Sequence, residues 1–178
     1  MGNAIQRERL YLHGACRMKH DNEQLRIEQR KTATVVARSW GIGRLVEGPE
    51  FARVDYVGHL TADGPAACAI EIKNPTKAHP RQMVDLDKAR AVLAWDVRHN
   101  IPAVIVWRWP TLRGGWGIGW TRPRHWEWNW LTREPLGFQM SMFQRNDRAG
   151  TNDVDRVVWI PTELLRPLSV NPLVNERE

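Results

Sequence analysis

The chain is 178 residues long, enough to bury one core unaided, and its 42% hydrophobic and 26% charged residues are ordinary for a soluble globular protein. No apolar run approaches the roughly 20 residues of a membrane span, and the opening MGNAIQRERLYLHGAC has no apolar signal core. The two cysteines, Cys16 and Cys68, are too few for a disulfide framework or a self-sufficient zinc site, and net charge is +6.

These features predict one domain over residues 1–178 in a reducing, cytoplasmic setting, nucleoid-associated or in a phage-infected cell. Its core is expected over about 22–122, followed by a Trp-rich extension over about 123–178. Residues 1–44 hold nine basic side chains (Arg7, Arg9, Arg17, Lys19, Arg26, Arg30, Lys31, Arg38, Arg44) against four acids. A basic excess gathered in one third of a chain points to a polyanionic partner, because each phosphate that Lys or Arg neutralises releases counterions.

Residues 1–20 suggest one short helix at most. From Asn22, NEQLRIEQRKTATVVARSW carries Leu25, Gln29, Ala33, Val36 and Trp40 at helical spacing and runs into Gly41 and Gly43. That pattern predicts a helix with this stripe buried. RLVE (44–47) predicts a short strand, and ARVDYVGHL (52–60) and AACAIEIK (66–73) two more, joined through the Asp63-Gly64 hairpin signal. Asn74-Pro75 ends the last of these, since proline lacks the ladder donor. A second helix is expected over 80–99, with Met83, Leu86, Leu93 and Val97 on its stripe. IPAVIVWRW (101–109) reads as a strand buried on both faces and GGWGIGWTR (114–122) as another. As a strand, RHWEWNWLTREP would align Trp126, Trp128 and Trp130 on one exposed face. QRNDRAGTNDVD reads as a loop, VVWIP as a strand and TELLRPL as a short helix. The α-β-β-β-α-β order predicts an α/β fold, a mixed sheet flanked by helices.

Chemistry concentrates in one hairpin. Alternation puts Glu71 and Lys73 on the same face of their strand. Folding about Asp63-Gly64 makes opposing positions sum to about 127, which sets Asp55 opposite residue 72, give or take one. If a bulge or twist lets the Asp55 side chain share their face, two carboxylates and an ammonium converge. Carboxylates at close range repel and so favour a hard divalent cation. Mg²⁺ takes few protein ligands, keeps several waters and activates one of them against a phosphodiester. A surface ion-pair cluster is the structural alternative, but Glu71 and Lys73 interrupt an apolar strand, where charge is costly unless paired or ligating.

The runs VDYVG (54–58) and AIEIKNPT (69–76) resemble the motif of the PD-(D/E)XK nuclease superfamily, Asp then Glu-x-Lys on consecutive strands. Within it the chain looks most like RecU-type Holliday-junction resolvases. HPRQ (79–82) is similar to their His-x-x-Gln helix opening, and IPAVIVW (101–107) to the strand that follows. Arg53 and Val54 stand where that type carries a hydroxyl residue before the Asp. The resemblance covers roughly residues 50–120 and implies a restriction-endonuclease-like core.

It further implies Asp55, Glu71 and the Ile72 carbonyl as Mg²⁺ ligands, with Mn²⁺ a possible substitute. Lys73 would be the base or stabiliser, and Gln82 would lie beside the metal or a phosphate. The superfamily often adds a first-helix glutamate. Glu23 and Glu28 are the candidates, and Glu28 lies nearer the buried edge. Arg26, Arg30, Lys31, Lys77 and Arg81 are the candidate DNA contacts. The implied activity is Mg²⁺-dependent cleavage of DNA in recombination and repair, by a homodimer if a two-fold junction is the substrate. The alternatives are a restriction-like or phage recombination nuclease on duplex or flap DNA, and a catalytically silent DNA-binding or assembly protein of the same fold.

Overall fold

The computed structural model describes residues 23–48, 54–144 and 154–174. The expectations for residues 1–22, Cys16 among them, and for residues 145–153 lie outside the described residues. Helix α1 covers residues 23–40. Its buried stripe is Thr32, Ala33, Val36 and Trp40, while Leu25 is 47% exposed. Gly41, at φ +69°, ends it in the left-handed region that glycine adopts at least cost.

The strands in chain order begin with β1 (Arg44–Glu47), β2 (Tyr56–His59), β3 (Ala66–Lys73) and β4 (Arg81–Asp85). After helix α2 (Leu86–His99) come β5 (Ala103–Pro110), β6 (Trp116–Thr121), β7 (Trp128–Asn129) and β8 (Glu134–Pro135). The chain closes with β9 (Gln139–Gln144), β10 (Val154–Pro161) and β11 (Arg166–Pro167). The central sheet has the order β1-β2-β3-β5-β6-β11. Its β3–β5 pair is parallel and its other pairs are antiparallel, so the sheet is mixed as expected.

Two cores lie on the two faces of this sheet. On one, Ala33, Val36 and Trp40 of α1 pack on Tyr56, Ile70, Ile72, Val104, Val106 and Trp120. On the other, Leu86, Ala89 and Val92 of α2 meet Ala69, Ile105 and Trp107. Strand β5 supplies both, which is why Ala103 to Trp107 read as one apolar run. No described helix is long and apolar enough to cross a membrane.

Several expectations need correction: TELLRPL forms only a 3₁₀ turn over Thr162–Leu164 followed by β11, and Val97 of the expected buried stripe is 60% exposed. The helix expected over 80–99 begins only at Leu86. Residues 81–85 form β4, which pairs antiparallel with β10 in a separate sheet of order β4-β10-β9. The alternating burial of RQMVD, with Gln82 and Val84 inward, is a strand pattern. The three indoles also separate. Trp126 and Trp128 are buried against the α2 core with ring centroids 5.7 Å apart, and Trp130 alone is exposed, at 72%. A short 3₁₀ turn over Pro123–His125 and the two-residue strands β7 and β8 fold Trp128 inward, and its indole N–H donates to the Pro123 carbonyl.

Candidate active site

The register of the β2–β3 hairpin decides where Asp55 lands. Tyr56 pairs with Ile70, Val57 with Ala69 and Gly58 with Cys68, but His59 pairs with Ala66. Ala67 is thus an extra residue on β3, a bulge. Without it the register would set Asp55 against Ile70, whose side chain belongs to the α1 core, since a one-residue slip exchanges the faces. With it, the position beyond Tyr56–Ile70 sets Asp55 against Glu71, within the one-residue tolerance of the sequence reading. Here β2 bends out of the ladder. The Asp55 N–H still donates to the Ile70 carbonyl (3.0 Å), while its Oδ2 accepts the N–H of Ile72 (2.7 Å) in place of a backbone partner.

Glu71 follows Ile70 onto the opposite face, toward α2, and is 1% exposed. Its Oε1 lies 3.1 Å from Lys73 Nζ, one pleat along, and its Oε2 lies 3.2 Å from Lys88 Nζ in the first turn of α2. That second contact is an ion pair without hydrogen-bond geometry, so Oε2 is buried with no hydrogen bond. Asp85, at the junction of β4 and α2, brings Oδ2 to 4.0 Å from Lys73 Nζ. Burial pushes the Glu71 carboxyl above the usual range. Lys73 and Lys88 oppose that shift and the Asp55 charge adds to it.

This donor set fits a hard cation that keeps several waters. In a strand the N–H and C=O of one residue point to the same side, so the Ile72 carbonyl lies on the edge that Asp55 flanks. The carboxylates of Asp55 and Glu71, the latter with a buried oxygen lacking a hydrogen bond, and the Ile72 carbonyl would suit Mg²⁺, which binds through few protein ligands. Among the described residues no group of three or more His, Cys, Asp or Glu side chains is placed to hold an ion.

The other expected site residues sit elsewhere. Glu28 is on α1, across the sheet from Glu71. Lys31 Nζ (2.7 Å) hydrogen-bonds Oε1 and Arg108 Nη1 (2.9 Å) hydrogen-bonds Oε2, and together they hold its carboxyl below the usual range. It lines a cleft of 340 Å³ with Leu25, Asn74, Pro75 and Trp116. Glu23 is exposed near the start of α1. Gln82 lies in β4 rather than at a helix opening, buried, with its amide donating to the His79 carbonyl (3.3 Å). Among the expected DNA contacts, Arg26, Arg30 and Lys31 lie on exposed positions of α1, with Arg30 paired to Glu47 (3.1 Å). Lys77 is exposed in the loop after β3, and Arg81 hydrogen-bonds Gln139 of β9. His59 and His79 are structural, each bonded to a backbone carbonyl within its own turn. Cys68 is fully buried, its thiol pushed up to about 12 by burial.

Sequence reasoning missed Asp85 and Lys88. A signal was present for the first: Asp85 precedes the Leu86, Ala89, Val92 stripe, where a helix-starting residue belongs.

No family model matches the sequence, and no curated protein matches it. Among solved structures the chain is similar to Hjc, a Holliday junction resolvase from the archaeal hyperthermophile Archaeoglobus fulgidus. The TM-score is 0.40 and the identity 13%, over 57% of this chain and 75% of that one. A likeness of this size bears on neither activity nor partners.

Proposed function

We propose that the chain is a metal-dependent endodeoxyribonuclease of PD-(D/E)XK type, selective for branched DNA like the RecU-type resolvases its motifs resemble. The observation that carries the reading is the meeting of Asp55, Glu71 and Lys73 at the end of β3, where the Ala67 bulge aligns them. Asp55, Glu71 and the Ile72 carbonyl would hold Mg²⁺, whose chemistry is to acidify a bound water and polarise a phosphoryl oxygen. Lys73, 27% exposed at its side chain, orients the attacking water and stabilises charge that builds on the phosphate. Lys77, in the loop that follows β3, would contact the DNA backbone beside the site, and the exposed bases of α1, on the other face of the sheet, would extend that contact, so binding weakens steeply with salt. Two copies would present two sites to a two-fold junction.

One observation favours a catalytically silent protein: both oxygens of Glu71 already face ammonium groups, as in a purely structural ion cluster. The test compares wild type, Asp55→Asn and Lys73→Ala on labelled four-way junction, flap and duplex DNA, with Mg²⁺ or EDTA. Cleavage by wild type that EDTA abolishes, and that each substitution lowers by about 10²- to 10⁴-fold without loss of fold, supports the nuclease. Preference for flap or duplex DNA would replace the resolvase with a restriction-like or recombination nuclease. DNA binding without cleavage by any of the three proteins overturns the enzyme reading.

A further inference from the structure

We propose that Lys88 is a built-in counter-ion that competes with a divalent cation for the Glu71 carboxylate, and so sets how tightly the site holds metal. The inference rests on the nuclease reading of the same site. Lys88 stands in the first turn of α2, where the helix dipole favours acids and disfavours an ammonium. Its position is explained by its target, the buried Oε2 of Glu71 at 3.2 Å. Lys73 covers the other oxygen, so a cation approaching Glu71 must displace one of the two ammoniums.

The two ammoniums are alike in exposure, at 27% and 25%, and Lys73 lies in addition 4.0 Å from the Asp85 carboxylate. Lys88 meets an oxygen that accepts no hydrogen bond, and its side chain is 25% exposed on a flexible stem that can carry the charge into water. The charges agree. Asp55, Glu71 and Asp85 against Lys73 and Lys88 leave one net negative charge, and removing Lys88 leaves two, a stronger pull on a dication.

The test titrates metal-free protein with Mn²⁺, without DNA, by calorimetry. The proteins are wild type, Lys88→Ala, Lys88→Gln, Lys88→Arg and Asp55→Asn. Lys88→Ala and Lys88→Gln should bind Mn²⁺ about tenfold more tightly than wild type, and Lys88→Arg should match wild type. Lys88→Gln keeps a polar side chain with a donor but no charge, so it reports on charge should the alanine variant fold poorly. The metal-free Tm of both neutral variants should fall, and saturating Mn²⁺ should close the gap. Unchanged or weaker Mn²⁺ binding by the neutral variants, with wild-type binding present and lost in Asp55→Asn, overturns this inference and leaves the nuclease reading standing. No Mn²⁺ binding by any of the five overturns both.

Discussion

Glu71 and Asp96 are both buried carboxylates, 1% and 0% exposed, and the molecule supports them in opposite ways. Asp96, near the end of α2, is saturated. Its Oδ2 accepts the Ala103 N–H (3.0 Å) and Arg122 Nε, and its Oδ1 accepts Arg122 Nη2 (3.0 Å) and Arg124 Nη1 (3.1 Å). Burial raises its pKa, but these hydrogen bonds outweigh burial and hold the carboxyl below the usual range. Glu71 has two ammoniums and an oxygen with no hydrogen bond, and burial holds it above that range. A carboxylate satisfied on all sides ties a helix to a strand. One left partly unsatisfied at such expense is a candidate for chemistry.

Breaking the saturated site should cost most. Asp96→Ala removes the buried carboxylate that Arg122 and Arg124 pair with, and urea unfolding should show a loss of about 3–5 kcal/mol. Glu71→Gln should go the other way, raising stability at pH 8 by about 1 kcal/mol while Mg²⁺-dependent cleavage disappears, because the site trades stability for function.

The pH dependence sharpens the contrast. The raised pKa means that folded Glu71 keeps its proton at a pH where the unfolded chain has lost it. Wild-type stability from this group is therefore full below the unfolded carboxylate range and is lost as pH rises through the folded value. The gap between Glu71→Gln and wild type should open with rising pH. Asp96 has the opposite sign: its contribution is present above the unfolded range and is lost as pH falls through its lowered value, so the penalty of Asp96→Asn should shrink in acid. A surface pair marks the floor of the scale. Arg30–Glu47, with side chains 63% and 45% exposed, should contribute under about 1 kcal/mol in a double-mutant cycle and vanish at high salt.

Much of this architecture was legible because its signals are local. Glycines end α1, an Asp-Gly turn joins β2 to β3, and β5 is a single apolar run. The site was legible as far as alternation reaches, which gave Glu71 and Lys73 one face. What failed depends on distant partners. RQMVD became a strand because VVWIP completes its ladder, and that stretch sits beside a helix whose periodicity absorbs it. The Ala67 bulge has no glycine or proline of its own, and its only local mark is Gly58 on the facing strand. Glu28 lies beside the buried part of α1, but only the sheet topology shows that it is on the far side from Glu71. A lysine in a helix, such as Lys88, looks like any solvated charge until its neighbour across the fold is known.

The pairing of β4 with β10 also dictates an order of assembly. Asp85 pairs with Val157, 72 residues later in the chain. At a synthesis rate of 5–20 residues per second, β4 leaves the ribosome roughly 4–14 s before its partner exists. The hairpin that carries Asp55 and Glu71 can close early from local contacts, whereas the strand that leads into Lys88 gains its ladder only after residues 157–161 are made, so the two parts of the site come together in that order.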